Sequence, residues 1–104
     1  MRIEIIRAPT VSFVEMLVDN IRPAERKRLE GQHWGAIGLI QARLIDLYWA
    51  ADVAEKASDV VTALVMGNCP QHTQMLAIAG HEAAVQTALA QVRLRRERGR
   101  VEAG

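Results

Sequence analysis

The chain contains a single cysteine, Cys69, in a segment whose other residues are typical of a tight turn. The segment spans residues 66–72 and reads MGNCPQH. One cysteine cannot form a disulfide within its own chain, and one Cys-x-x-His pair is too small a ligand set for a structural metal ion, which takes about four ligands. Cys69 is therefore either an ordinary small residue, as most free cysteines are, or a residue that acts together with copies of itself from other chains.

The neighbours of Cys69 suit a turn that brings backbones close together. Gly67 permits a positive φ angle, and Asn68 tolerates the left-handed conformation. Pro70 fixes its own φ angle and favours an extended conformation at Cys69. His72 is a candidate for a second ligand or for a hydrogen-bond donor to a bound group, and it is equally compatible with a plain turn residue.

Composition limits the classes of protein that this chain can belong to. Its 104 residues suffice for one domain, and a domain of this size gains from burying more surface in an oligomer. The net charge of +1 gives no general attraction to nucleic acid or membranes. We find no signal peptide and no apolar run of about 18 residues, and a single cysteine favours a reducing cytoplasm. No paired carboxylates, nucleophile–base set or phosphate loop is present, so we predict that the protein is not an enzyme.

Basic residues are concentrated near the C-terminus, where the sequence RLRRERGR at 93–100 holds five of the thirteen. This run could bind a protein partner or nucleic acid, but a solvated helix end is favoured because cations suit a helix C-terminus. The aromatic residues Trp34, Tyr48 and Trp49 are interpreted as cover for the core and for subunit edges. We predict neither a nucleic-acid partner nor a membrane partner.

Hydrophobic periodicity predicts an α+β fold. Residues 10–18 are predicted as a strand because of their β-branched and aromatic content, and a short helix is predicted from Pro23 to Gly31. The other predicted elements are strands at 2–7, 34–42, 60–66 and 73–80 and helices at 43–58 and 81–96. This order predicts an antiparallel sheet with helices packed on one face. The strands at 60–66 and 73–80 should form a hairpin whose turn, 67–72, projects from an edge of the domain.

Short motifs in the middle of the chain resemble the bacterial microcompartment (BMC) shell-protein domain. They are GAIG at 35–38 in the first strand, AAD at 50–52 and KA at 56–57 in the following helix, and AV at 84–85 at the start of a later helix. The resemblance implies a subunit of a cyclic homohexamer, a flat tile that packs with other shell proteins in the microcompartment shell, in the cytoplasm. Encapsulated enzymes are further candidate partners.

The order of the N-terminal segments resembles the circularly permuted variant of that domain. Residues 11–31 look like the strand and short helix that usually close the domain at its C-terminus, but here they come first. Residues 2–7 take the place of an extra strand that, in permuted relatives, can form a small barrel over the pore. We therefore predict a permuted BMC domain over 1–94, with an N-terminal strand extension at 1–8, and a basic, frayed tail at 95–104.

In BMC hexamers the turn between the second and third core strands lines the central pore. The resemblance thus implies that the pore is lined by Gly67, Asn68, Cys69, Pro70, Gln71 and His72. The sequence GNCPQH is similar to the pore motif of GrpU-type shell proteins of glycyl-radical propanediol microcompartments, in which the cysteine is associated with an iron–sulfur cluster. The resemblance implies that Cys69 is the iron–sulfur ligand, shared between subunits.

A 4Fe–4S cluster needs about four thiolates, and a six-fold ring of single cysteines supplies six. The six subunits therefore cannot ligate one cluster equivalently. Such a cluster would pass electrons across the shell, deliver or retain a cluster, or gate the pore, and the sequence does not choose among these roles. Three alternatives remain open: a hexameric tile with a cluster-free pore for small metabolites, a metal-binding or redox-sensing oligomer outside any shell, and a nucleic-acid binder that uses the arginine run.

Overall fold

The protein is described by a computed structural model that covers residues 1–32, 34–66 and 73–103. The α+β class and the antiparallel sheet predicted from the sequence are confirmed. In chain order the elements are β1 (Arg2–Arg7), α1 (Val11–Asp19), α2 (Pro23–Leu29), β2 (Ala36–Arg43), α3 (Leu44–Ala57), β3 (Val61–Val65), β4 (Thr73–Gly80) and α4 (Glu82–Ala103). The backbone of residues 95–103 is thus helical, while the division at residue 94 stays a prediction. No helix among the described residues is long and apolar enough to cross a membrane.

The strands form one sheet in the order β1-β2-β4-β3, and every neighbouring pair is antiparallel. β1 pairs with β2 over its whole length, from Arg2 opposite Gln41 to Arg7 opposite Ala36. The segment 2–7, predicted as an extension that could cap a pore, is therefore an edge strand of the sheet.

The predicted strand at 10–18 is wrong, because these residues form helix α1. Thr10 caps the helix, since its side-chain oxygen accepts a hydrogen bond from the backbone N–H of Phe13 at 3.1 Å. The side chains of Phe13, Val14 and Leu17 point to the core at the spacing of a helix. This burial pattern outweighs the β propensity of the valines on which the prediction rested.

The helices cover both faces of the sheet, which corrects the prediction of helices on one face. On the first face, here called the α3/α4 face, the two long helices bury a large aliphatic cluster against β2 and β4. On the opposite face, here called the α1/α2 face, Leu17 and Leu29 pack against Ile37 and three alanines of β3 and β4. Gly38 lets α4 come close on the first face, because a Cβ atom there would lie 3.1 Å from the methyl carbons of Leu89.

Candidate functional site

The predicted pore turn lies between two strands that are neighbours in the sheet. β3 ends at Val65 and β4 begins at Thr73, and Val65 pairs with Met75 in antiparallel register. This confirms that the strands flanking the turn are antiparallel partners. The predicted site residues themselves fall outside the described residues: Gly67, Asn68, Cys69, Pro70, Gln71 and His72.

The strand that leads into the turn is held on its outer edge by the link between α1 and α2. The backbone N–H of Met66 donates a hydrogen bond to the carbonyl oxygen of Asn20 at 2.6 Å. Val65 forms an isolated antiparallel bridge with Ile21. An edge strand would otherwise present free backbone groups, so these contacts satisfy and immobilise the last residues before the turn.

That link is itself locked by the guanidinium group of Arg26. Its Nε donates to the carbonyl oxygens of Ile21 at 2.7 Å and Val18 at 3.1 Å, and its Nη2 donates to that of Asp19 at 3.2 Å. The carbonyls at the C-terminal end of α1 lack helical partners, and a cation there is favoured by the helix dipole as well. Arg26 thus fixes the geometry on which the end of β3 rests.

Carboxylates from α2 and α3 support the same strand. Glu25 of α2 accepts a hydrogen bond from the backbone N–H of Leu64 at 3.3 Å. Glu55 of α3 accepts one from the hydroxyl of the buried Thr62 and pairs with Arg28 at 3.0 Å. These contacts join helices from both faces of the sheet around the edge strand β3.

Sequence reasoning missed these supporting residues. Arg26, Lys27 and Arg28 are consecutive and similar in type, and only the folded chain separates the one that binds backbone carbonyls from its neighbours. In the part of the chain that the structure describes, no group of three or more His, Cys, Asp or Glu side chains could hold a metal ion. The candidate ligand Cys69 lies outside that part.

Several solved structures are similar to this chain, and two of them are described here by their names. The ligand-free GrpU microcompartment shell protein from Pectobacterium wasabiae is 35% identical with a TM-score of 0.74, and the match covers 88% of this chain and 99% of that one. The ligand-free GrpU microcompartment shell protein from Clostridiales bacterium 1_7_47FAA is 33% identical with a TM-score of 0.67, over 92% of this chain and 95% of that one. No protein-family model and no curated protein matches the sequence.

The fold and these two matches define a shell protein of a bacterial microcompartment. Within that class, the chain belongs to the family of GrpU microcompartment shell proteins. Its place is therefore the microcompartment shell, which lies in the cytoplasm, and the family points to a structural role and to assembly with other shell proteins.

Proposed function

We propose that this chain forms cyclic homohexameric tiles in the shell of a glycyl-radical propanediol microcompartment, and that the pore of each hexamer binds an iron–sulfur cluster through Cys69. The observation that carries the proposal is the position of the only cysteine. It belongs to the connection between β3 and β4, and the described end of that connection at Met66 is anchored by a 2.6 Å hydrogen bond to Asn20. An anchored base lets a short turn hold its thiol at a defined distance from a symmetry axis.

The order of elements supports a circularly permuted domain. A strand followed by helices precedes β2, as expected when the unit that usually closes the domain comes first. The strand of this unit is β1, and its helical part comprises α1 and α2. In this proposal Arg2–Arg7 therefore belongs to the permuted unit.

An incompletely covered part of the sheet supports assembly. On the α1/α2 face, beyond the reach of those helices, an open groove of about 300 Å³ is lined by Arg2, Glu4, Leu39, Gln41 and Met75. Met75 is paired with Val65, so the groove lies at the end of the sheet that carries the turn. A neighbouring subunit packed there would cover the half-buried Leu39 and Met75 and bring copies of the turn together.

The chain can hold an iron–sulfur cluster only if the cysteines of several subunits combine. Each chain offers one thiol, and a 4Fe–4S cluster needs about four thiolates. Three or four subunits would therefore supply Cys69, and where only three do, His72 or a small molecule would complete the ligand set. When bound, such a cluster supplies one-electron redox chemistry. The role we propose is transfer of electrons or of the cluster itself across the shell.

The test is anaerobic purification of the wild type beside Cys69→Ser and His72→Ala, with visible absorbance, iron and acid-labile sulfide assays, and mass measurement of each assembly. We expect a brown wild-type hexamer, a colourless hexamer for Cys69→Ser, and iron retained in His72→Ala if His72 is not a ligand. The iron count per hexamer reports how many chains share one cluster.

Two outcomes would contradict separate parts of the proposal. A colourless, iron-free wild type that stays so after reconstitution would remove the cluster and leave a hexameric tile with a pore for small metabolites. A particle mass that does not correspond to six chains would remove the hexamer, whatever the iron content.

A further inference from the structure

Apolar side chains are exposed along one side of α3, at the end of the sheet where β3 stops and β4 starts. Leu44 and Tyr48 have i,i+4 spacing, so they lie on one face of the helix, and they are 37% and 61% exposed. Glu55, seven residues after Tyr48, is on the same face, and its carboxylate contacts Arg28 of α2 and Thr62 of β3. This face of α3 is therefore turned toward β3, an edge strand of the sheet.

Met66 adds to the apolar surface at this edge and this end of the sheet. It follows β3 directly and is 45% exposed. The first turn of α3 belongs to the same end, because Arg43, the residue before Leu44, pairs with Thr73 at the start of β4. Leu44, Tyr48 and Met66 are here called the α3 flank. Exposed apolar side chains concentrated in this way mark a surface that another molecule covers.

The open groove beside Leu39 and Met75 lies toward the opposite edge of the sheet. Its walls include Arg2 and Glu4 of β1, and β1 and β3 are the two outer strands. Met75 is opposite Val65, the last residue of β3. The groove and the α3 flank thus lie at opposite edges but at the same end of the sheet, where the strands that flank the predicted pore turn end.

The groove and the α3 flank are chemically complementary. The half-buried Leu39 and Met75 give the groove apolar side chains, and Arg2 and Gln41 give it polar groups. A tyrosine presents an apolar ring and a hydroxyl group together, and a methionine sulfur makes favourable contacts with aromatic rings. Tyr48 is therefore the member of the α3 flank that matches the groove best.

A closed ring needs two different surfaces on each subunit. A two-fold contact uses one surface twice and stops at two chains, whereas a head-to-tail contact joins two unlike surfaces and can close into a ring. The α3 flank and the groove meet this requirement because they lie at opposite edges of the sheet. Since both lie at the same end, joining them keeps the strand ends that flank the predicted pore turn on one side of every contact.

We propose that the groove of each chain is occupied by the α3 flank of the neighbouring copy, with Tyr48 as the central contact. This inference rests on the proposed hexamer and goes further, because it names the two surfaces that meet. Met66 belongs to the α3 flank and leads into the predicted pore turn. The contact would therefore set how closely copies of the turn approach the axis, and a shared cluster site is incomplete without it.

The experiment measures the mass of the full chain's assembly by analytical ultracentrifugation over a range of protein concentrations. Tyr48→Glu should weaken each contact by about 30-fold, as the loss of a central tyrosine does at protein interfaces, so the six chains should separate. Met75→Glu should act in the same way from the groove side. Gln41→Trp, which fills the groove from an exposed position, gives the same readout if Met75→Glu does not fold.

Ile45→Glu is the matched control for Tyr48→Glu. Ile45 is 76% exposed on α3, and it points about 100° away from the preceding Leu44 around the helix, outside the α3 flank. The control variant should remain an assembly of six chains. If it dissociates as readily as Tyr48→Glu, the assignment of the contact to the α3 flank is wrong.

A mixture of single variants distinguishes a head-to-tail contact from a two-fold contact. Tyr48→Glu retains an intact groove, and Met75→Glu or Gln41→Trp retains an intact α3 flank. An equimolar mixture at high concentration should therefore form pairs and nothing larger, which native mass spectrometry detects. A mixture that contains only single chains would overturn the head-to-tail contact.

The wild-type mass tests the proposed hexamer, and the variants test this inference. If the wild type and both the Tyr48→Glu and groove variants contain six chains, the inference is overturned and the proposed hexamer stands. The groove would then be open or occupied by a different molecule. A wild type of one or two chains at every concentration would overturn the hexamer and this inference with it.

Discussion

The two faces of the sheet bury apolar clusters of different size. The α3/α4 face buries large aliphatic residues whose side chains are almost completely inaccessible: Ile40, Leu47, Leu76, Ile78, Val85, Leu89 and Val92. The α1/α2 face buries three alanines on its strands, at 63, 77 and 79, beneath Leu17, Ile21 and Leu29. Among the described residues, the cluster on the α3/α4 face contains fourteen buried residues and the cluster on the α1/α2 face contains seven.

This difference indicates a division of roles. The α3/α4 face contains most of the buried apolar volume and therefore most of the hydrophobic stabilisation. The α1/α2 face contributes less core, but its helices reach around the edge of the sheet to hold Val65 and Met66, the residues that precede the predicted pore turn. It also leaves the groove beside Leu39 and Met75 open. One face supplies most of the stability, and the other holds the end of β3 and leaves open the groove that the proposed assembly would cover.

The largest expected effect compares one leucine from each face. Leu89 is 2% exposed and packs on Gly38, so Leu89→Ala should lower the free energy of unfolding by about 4 kcal/mol. Leu17 is 8% exposed in the smaller cluster, and Leu17→Ala should cost about 2 kcal/mol. Urea unfolding at one fixed protein concentration measures both values, since assembly adds to apparent stability.

The exposed Ile45 serves as a control for this pair. Ile45→Ala removes apolar volume from the surface and should change the free energy of unfolding by less than about 0.5 kcal/mol. Equal losses for the Leu89 and Leu17 variants would show that the two faces contribute alike and would contradict the comparison.

The second-largest expected effect is that of Arg26→Ala, which tests whether the α1/α2 face positions the end of β3. Arg26→Ala removes the donor that binds the carbonyls of Val18, Asp19 and Ile21, and it should cost about 2 kcal/mol. Because the α1–α2 link would loosen, hydrogen exchange at the Met66 amide should accelerate more than exchange at amides in the centre of β4.

Lys27→Ala is the matched control, since Lys27 is the next residue of α2 and is exposed. It should change stability by less than about 0.5 kcal/mol and leave exchange at Met66 unaltered. If both variants accelerate exchange at Met66 to the same degree, Arg26 does not have the positioning role that its hydrogen bonds indicate.

The sequence predicts the α3/α4 face better than the α1/α2 face, and the reason is periodicity. α3 and α4 repeat apolar residues over three or more turns, and β2 and β4 are continuous apolar runs, so their types follow directly. α1 has nine residues with valine at three of them, so β propensity and helical spacing compete over a short window. The continuous apolar run of β2 was itself a signal that both faces are covered.

Contacts between distant residues were out of reach of sequence reasoning. A cleft between α3 and α4 is lined by Trp49, Arg95 and Arg98, which are more than forty positions apart, and only the antiparallel packing of the two helices brings them together. The candidate site was predictable in a different way: a short turn motif and one unusual cysteine, Cys69, carry the family resemblance without any knowledge of packing.

The smallest expected effect concerns Thr10, the N-terminal cap of helix α1. Thr10 accepts a hydrogen bond from the N–H of Phe13 at 3.1 Å, and Thr10→Ala should cost about 1 kcal/mol because that N–H loses its cap. Thr10→Ser should retain the cap and most of the stability. Ser12→Ala, at the second residue of α1, should be neutral or slightly stabilising because alanine has the higher helix propensity. Thermal unfolding of the three variants measures the difference. If Thr10→Ala is as stable as the wild type, packing on the α1/α2 face alone must fix the start of α1, and that face contributes more to stability than the comparison of the two faces allows.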